Sequence, residues 1–359
     1  MDAHYKRVVV KIGSNVLTQN DGLPDISRIQ HITEQIDNVR KRGIEVILVS
    51  SGAVASGRSL MTVSEKTDAI AARQLLAAVG QVKLINTYSR LFEEYQMLCA
   101  QVLVTKEDFR DRKHYLNMKN CFQVLLQHKV VPIVNENDVV SVTELMFTDN
   151  DELAGLVAAM LNADALVILS NVDGIYNGDP RQEGAKVIEE IHARETNFAN
   201  FIAPGKSQFG RGGMVTKSVI AQKVARLGIA VHVANGRRNN VLPDLLDHKI
   251  VHTRFVPDKT ASGTKKWLAT SATAATGSVQ VNEGAKSALV SGKATSLLPV
   301  GVIAILSDFQ KGDIIRLVDE QEQLIGLGVA QYGSDKARER IGQRNQKALV
   351  HYDYFYPAI

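Results

Sequence analysis

Apolar residues fall along this chain in two alternating rhythms. Short, β-branched runs at Lys6–Ile12 (KRVVVKI), Ile44–Ser50 (IEVILVS), Leu98–Thr105, Lys129–Val134, Ala165–Ser170 and Ile229–Ala234 have the length and continuity of buried strands. Helical spacing fills the intervals. After Asp25, a residue suited to capping, Ile29, Ile32, Ile36 and Val39 recur on one face, and Gly43 can stop the helix. Further helices are expected at roughly 68–96, 113–128, 151–163 and 214–227. Apolar strands alternating with helices predict a mostly parallel sheet covered on both faces, a three-layer α/β sandwich. In such sheets ligands gather beyond the carboxyl ends of the strands, so functional residues are expected just after each strand.

The rhythm changes near residue 270. Ala269–Ser278 (ATSATAATGS) holds only Ala, Thr, Ser and Gly and has the texture of a linker. Beyond it, Val302–Leu306, Asp313–Val318 and Leu324–Gln331 suggest short strands, with one short helix near 334–341. The expected organisation is a sheet domain over 1–257, a linker over 258–276 and a small β-rich domain over 277–359. A length of 359 residues suits one large and one small domain.

Composition narrows the function by exclusion. The longest apolar stretch, Leu153 to Leu169, is interrupted by Asn162 and Asp164, so no membrane span is expected. The opening MDAHYKRVVV has no secretory apolar core, which points to a cytoplasmic protein. Two cysteines, Cys99 and Cys121, form neither a disulfide framework nor a zinc site. A net charge of +4 is too mild to imply a nucleic-acid partner.

Five strand-end motifs carry candidate chemistry. Lys11-Ile12-Gly13-Ser14 ends the first strand with a lysine that is costly to bury unless it faces something negative. Ser50-Ser51-Gly52-Ala53 is a turn of small residues whose amide groups could bind a carboxylate or phosphate, or simply close the turn. Asn135-Glu136-Asn137-Asp138 crowds four polar side chains at a strand end, which suits a small polar molecule such as an amino acid. Thr148-Asp149-Asn150-Asp151 opens a helix; capping accounts for one of its polar residues but not for three, and the acidic groups could bind Mg²⁺ or orient lysines. Gly210-Arg211-Gly212-Gly213-Met214-Val215-Thr216-Lys217 places three glycines before a helix, as a phosphate cradle needs. No P-loop is present: Gly205-Lys206-Ser207 has the right tail, but Asn200 stands at the first glycine position. No dinucleotide fingerprint opens a helix either. Two lysines, two glycine-rich turns and several carboxylates point to phosphoryl transfer, which asks little covalent chemistry of a protein.

Read in order, VVKIGSNVL, VSSGAVASG, RQLLAAVGQ, VPIVNENDVV, TDNDELAGLVA, GIYNGDP and GRGGMVTK resemble the glutamate 5-kinases of the amino acid kinase family. GAKSALVSGKATSLLPVGV and FQKGDIIRL resemble the PUA domain appended to many of them. The resemblance implies the amino acid kinase fold and transfer from ATP, with Mg²⁺, to the γ-carboxylate of L-glutamate, the first step of proline synthesis. It implies that Lys11 and Lys217 stabilise the phosphoryl group and that Asp151 holds them. It places Ser51, Asp138 and Asn150 at glutamate, and Lys11, Ser170, Asn171, Arg211, Gly212, Gly213, Met214, Val215, Thr216 and Lys217 at ATP. No protein-held metal site is assigned. Proline as a competing inhibitor, with Arg73–Gln81 as a regulatory segment, and assembly as a dimer or tetramer also follow from the resemblance. Departures from the family pattern stand at Thr148, usually Gly, at Ser170-Asn171, commonly Thr-Asp, and at Arg211, often a small residue. One rival is a kinase for another small carboxylate or carbamate. Another is an RNA-binding protein, because PUA domains often bind RNA; nine basic and nine acidic residues in 277–359 make a poor footprint for a phosphate backbone.

Overall fold

In the computed structural model, residues 5–141, 147, 149–179, 182, 184–195, 213–258, 263–270, 275–291 and 295–358 are described. The chain divides into two compact units, Met1–Asp108 with Lys113–Thr260, and Ala261–Ile359 with the short piece Phe109–Arg112.

The first unit runs through β1 (Arg7–Ile12), α1 (Ser14–Leu17), α2 (Ile26–Lys41), β2 (Glu45–Ser50), α3 (Ala53–Arg58), α4 (Ala69–Glu93), β3 (Cys99–Val104), α5 (Lys106–Arg110), α6 (Arg112–Gln127) and β4 (Val131–Glu136). It continues with α7 (Asn150–Leu161), β5 (Ala165–Ser170), β6 (Glu190–His192), α8 (Met214–Arg226), β7 (Ala230–Asn235), α9 (Val241–Leu246) and β8 (Thr253–Val256). Eight of these strands form one sheet in the order β3-β4-β2-β1-β5-β7-β8-β6. Every pairing is parallel except that of β7 with β8. The central strands are apolar throughout because helices cover both faces: Val8, Val9, Val10 and Ile12 of β1 are all buried.

Local signals explain where the helices start and stop. The Asp25 carboxylate accepts from the Arg28 amide at the start of α2, Ile29, Ile32, Ile36 and Val39 are buried, and Gly43 adopts φ +82° beyond the end. Asp68 accepts from the Ile70 and Ala71 amides to open α4. Helices α3 and α4 touch through glycines: a Cβ on Gly80 would lie 1.8 Å from the Ala53 carbonyl oxygen, and one on Gly57 would lie 2.1 Å from that of Leu76. This approach seats α4 beside the carboxyl ends of β2 and β4.

Away from that end, buried His232 of β7 pairs with half-buried His252, just before β8. His252 Nδ1 lies 3.1 Å from the Ile250 carbonyl, which accepts only, so its Nε2 must be the acceptor facing His232 Nδ1 at 2.9 Å. His232 Nε2 then accepts from the Tyr5 hydroxyl at 2.9 Å. The chain is satisfied with both rings neutral, and burial lowers both histidine pKa values.

The second unit contains α10 (Gly263–Thr270), β9 (Gly277–Val281), α11 (Glu283–Val290), β10 (Val302–Ser307), β11 (Ile314–Val318), β12 (Leu324–Val329), α12 (Ser334–Arg340) and β13 (Phe355–Pro357). Its sheet order is β10-β9-β11-β12-β13, with β9 and β11 parallel and the other pairs antiparallel. Val279, Val281, Ile315, Leu317, Val350 and Phe355 are among its core. The span 258–276, expected as a linker, includes α10. Helix α10 lies there because Trp267 and Leu268, 2% and 0% exposed, have a core to enter. Gly277 and Ser278 belong to β9, while 271–274 lie outside the described residues. Among the described residues, no helix is long and apolar enough to cross a membrane.

Candidate active site

Lys11 is the penultimate residue of β1, where parallel pairing with β2 and β5 sets it opposite Val49 and Ile168. Gly13 follows at once, and its amide donates to the Leu169 carbonyl at 3.1 Å, tying the exits of β1 and β5 together. Helix α7 starts beside them. The Asp149 side chain caps it by accepting from the Asp151 and Glu152 amides at 2.9 and 3.1 Å. Asp151, in the first turn, is thereby aimed at the strand ends. Lys217, one turn into α8, approaches from the other side.

These three side chains make a buried triad. Lys11 Nζ lies 2.6 Å from Asp151 Oδ1, and Lys217 Nζ donates to Asp151 Oδ2 at 2.5 Å. The Asp151 side chain is 1% exposed. Burial opposes its ionisation, but the two ammonium groups outweigh that and hold its carboxyl well below the usual range. Burial also lowers the Lys11 pKa, with Asp151 pulling the other way. Burial, reinforced by the charge of Asp151, raises the carboxyl of Asp149. Two ammonium groups against the Asp151 carboxylate leave the triad positive, the sign a migrating phosphoryl group requires.

A second, mostly neutral cluster lies at the ends of β2 and β4. Asn150 Nδ2 donates to Ser51 Oγ at 2.8 Å and to Asn135 Oδ1 at 3.1 Å. Asn135 Nδ2 donates to Gln81 Oε1 of α4 at 3.0 Å. Arg73, also on α4, donates from Nε and Nη2 to Asp138 Oδ1 at 3.1 and 2.5 Å, and its Nη2 lies 3.8 Å from Glu136 Oε2. Glu136 Oε1 accepts the Phe147 amide at 2.9 Å. Burial pushes the Glu136 carboxyl up to about 7 and also raises that of Asp138, against the pull of Arg73.

Both clusters open on one cleft of about 1190 Å³. Lys11, Ser51, Asp138, Asn150, Asp151 and Lys217 line it, and so do Ser170, Asn171, Gly213 and Met214. Val215 and Thr216 do not: they sit on the first turn of α8 off the cleft wall, and Val215 is exposed. Arg211, Gly212 and Thr148 lie outside the described residues. Among the described residues, no group of three or more His, Cys, Asp or Glu is placed to hold a metal ion. A second groove of about 990 Å³, along α4 past Leu60, Val82 and Lys83, is largely apolar and lacks the triad.

Sequence reasoning missed three elements of this wall: the grip of Arg73 on Asp138, the link from Gln81 to Asn135, and the raised Glu136. The available signal was the spacing of residues 73, 77 and 81. At four-residue intervals they share one helix face, with Ala77 buried between the two polar residues.

Comparison with known proteins agrees with the geometry. The model of the amino acid kinase family matches residues 6–235, and that of the PUA domain matches 277–351. A glutamate 5-kinase of Bacteroides thetaiotaomicron is 51% identical over 360 residues, covering 99% of both chains. A glutamate 5-kinase of Chlorobaculum tepidum is 50% identical over 353 residues, covering 98% of this chain and 97% of that one. Among solved structures, carbamate kinase from Giardia lamblia bound to AMP-PNP superposes with a TM-score of 0.53 at 19% identity, covering 72% of this chain and all of that one, a likeness of fold. With a mostly parallel kinase sheet, a separate β-rich unit and relatives this similar along their whole length, the chain belongs to the amino acid kinase family, in its glutamate 5-kinase branch.

Proposed function

We propose that this chain transfers the γ-phosphoryl group of ATP to the γ-carboxylate of L-glutamate, giving ADP and γ-glutamyl phosphate, the first step of proline synthesis. The acceptor carboxylate is already ionised near neutrality, so the reaction needs no general base. A carboxylate oxygen attacks the γ-phosphorus, and the bond to the β–γ bridging oxygen breaks with its electron pair leaving on ADP. Lys11 and Lys217 offset the charge on the phosphoryl oxygens in flight, and Asp151 keeps both ammonium groups aimed at it. Ser51, Asp138 and Asn150 hold glutamate. Ser170, Asn171 and the segment Arg211–Lys217 receive ATP. What carries this reading is the triad itself: one buried carboxylate spanning two lysines, 2.6 and 2.5 Å away, on the wall of a cleft whose other wall is built for a small polar molecule.

Mg²⁺ fits this cleft as an ion brought by the nucleotide. Asp151 is engaged by two lysines and Asp149 by the amides it caps, so neither oxygen set resembles a resident metal cage. Brought with ATP, the ion would offset the negative charge of the phosphates.

Proline shares the α-carboxylate and ammonium of glutamate, and competition at the Ser51–Asp138–Asn150 wall belongs to the same reading. So does assembly as a dimer or tetramer. The described residues lining the cleft all precede residue 238, which supports assigning the chemistry to the first unit and regulation or assembly to the second.

The deciding experiment measures ADP release with L-glutamate beside aspartate, N-acetylglutamate and carbamate. Hydroxylamine trapping reports the acyl phosphate. Turnover with glutamate and formation of its hydroxamate are expected; preference for another acceptor overturns the assignment.

A further inference from the structure

The hydrogen bonds behind the amino-acid wall have a fixed direction, set by a backbone group. The Glu136 amide, which can only donate, points at the Asn135 side chain at 3.0 Å. The atom it meets is therefore Oδ1, and Nδ2 of Asn135 is turned toward α4. There it needs an acceptor, and Gln81 supplies Oε1 at 3.0 Å. The same Asn135 Oδ1 receives Asn150 at 3.1 Å, so the Asn150 atom facing it must be Nδ2. Both hydrogens of that nitrogen are then spoken for, one by Asn135 and one by Ser51 Oγ at 2.8 Å, with the Ser50 carbonyl a longer third acceptor at 3.5 Å. Asn150 is left with its carbonyl oxygen, an acceptor. Ser51, already accepting from Asn150, keeps its hydroxyl hydrogen as a donor.

We propose that Gln81 is a positioning residue for the amino-acid substrate: its side-chain oxygen, together with the Glu136 amide, holds the Asn135 amide in the one orientation that leaves Asn150 an acceptor and Ser51 a donor in the cleft. The acceptor suits a substrate ammonium and the donor a substrate carboxylate. Gln81 itself touches neither; it acts across 54 residues of sequence, from the face of α4 seated by the Gly80 contact. Without an acceptor at position 81, Asn135 Nδ2 loses its partner, and the Glu136 amide alone is left to hold the orientation on which the polarity of Asn150 and Ser51 depends. The inference rests on the reading of this wall as the glutamate site.

Three variants of the full chain test it: Gln81→Met, which removes the acceptor at similar length, Gln81→Glu, which keeps an acceptor in place, and Ser51→Ala. Steady-state kinetics should show glutamate KM raised about tenfold in Gln81→Met, with kcat and ATP KM within about threefold of wild type. Gln81→Glu should restore glutamate KM to within about threefold of wild type. Ser51→Ala should raise glutamate KM independently of Gln81. If Ser51→Ala raises glutamate KM while Gln81→Met does not, the positioning role fails and the glutamate site stands. Failure of Ser51→Ala to move glutamate KM sinks the placement of glutamate here, and the inference with it. Thermal melting accompanies the kinetics: if Gln81→Met and Gln81→Glu lose melting temperature and both substrate affinities together, Gln81 is a packing residue and the proposal is overturned.

Discussion

At one end of the cleft, two ammonium groups share the oxygens of Asp151. At the other, neutral side chains hand hydrogen bonds from Asn150 to Asn135 to Gln81. Both clusters are largely withdrawn from water, yet they differ in what burial costs them. Buried charges lose solvation that their mutual attraction only partly returns, so a triad of this kind is poor economy for stability. It suits a site where negative charge accumulates during reaction, since prearranged cations need no reorganisation at that moment. The amide chain costs little to bury once every donor has its acceptor. It stabilises no developing charge; it fixes which atoms donate and which accept. On the proposed reading, one end serves the transition state and the other recognition of the ground state. The full charges described in the second region, Arg73, Asp138 and Glu136, stand beside the amide chain rather than within it.

Removing a lysine from the triad should give the largest effect. Lys217→Met is expected to lower kcat about 10²- to 10³-fold, with glutamate KM moving less than about threefold, because the lost contact matters mainly in the transition state. Lys11→Met should behave alike. A kcat within about threefold of wild type for either variant removes that lysine from the chemistry.

Asp151→Asn tests the same end from its centre. It leaves two nearly buried ammonium groups around a neutral amide, a loss of about 3–5 kcal/mol where a buried ion pair is broken from one side. The melting temperature should fall by roughly 6–20 °C, and kcat should fall with it as the lysines lose their aim. Calorimetry and initial rates on one preparation check both. An unchanged melting temperature would mean that the triad is far more hydrated than its 1% to 10% side-chain exposures imply.

At the recognition end, Asp138→Asn should raise glutamate KM by about 10- to 100-fold and leave ATP KM nearly unchanged, as expected for loss of a charged partner to the substrate ammonium. It also releases Arg73, whose Nε and Nη2 both rest on Asp138 Oδ1. Equal losses for both substrates would show that Asp138 serves the fold of the turn instead.

The contrast between the two ends also separates what could be read from the sequence. Strand exits were legible because an apolar run followed by Lys-Ile-Gly-Ser or Asn-Glu-Asn-Asp leaves one place for its polar residues to go. The cap at Asp25 and the apolar stripe after it were legible for the same local reason. The triad was legible residue by residue through family motifs. The direction of β8 was not, since an apolar pattern says nothing of chain polarity. Gln81 was missed because its partner lies on a different strand end and needs α4 packed by glycine contacts to reach it. Val215 and Thr216 are the converse case, grouped with Lys217 by the motif but off the described cleft wall. They adjoin Lys217 in sequence, but each step along a helix turns the side chain by about 100°, and only some of a turn can face a cleft. Trp267 had been swallowed by the low-complexity texture around it, although a buried indole is a strong sign of local structure.

The smallest expected effect concerns pH, and it sets the recognition end against the His232–His252 pair. Glu136 has its carboxyl raised to about 7 by burial, so the folded chain binds this proton more tightly than the unfolded chain. Its contribution to stability is full below about pH 4.3 and is lost as pH rises toward 7. His232 and His252 run the other way. Burial lowers their pKa values, and the nearby His248 and Arg254 push the same way, with Glu189 opposing them at His252. Their contribution is full above about pH 6.5 and falls as pH drops below it. On acidification from pH 7 to 5, then, Glu136 adds stability while the histidines remove it. Glu136→Gln keeps an acceptor for the Phe147 amide and deletes only the titration. Its melting temperature should therefore fall more steeply than that of wild type between pH 7 and 5, and compare more favourably at pH 8. In the same variant, glutamate KM should lose a pH dependence that wild type shows. Ionised Glu136, 3.8 Å from Arg73, draws the guanidinium from Asp138 and adds negative charge near the substrate ammonium, so wild-type KM should fall about two- to threefold from pH 6 to 8. Parallel melting curves, together with parallel KM profiles, for wild type and Glu136→Gln would show that Glu136 is not the group that titrates near neutrality.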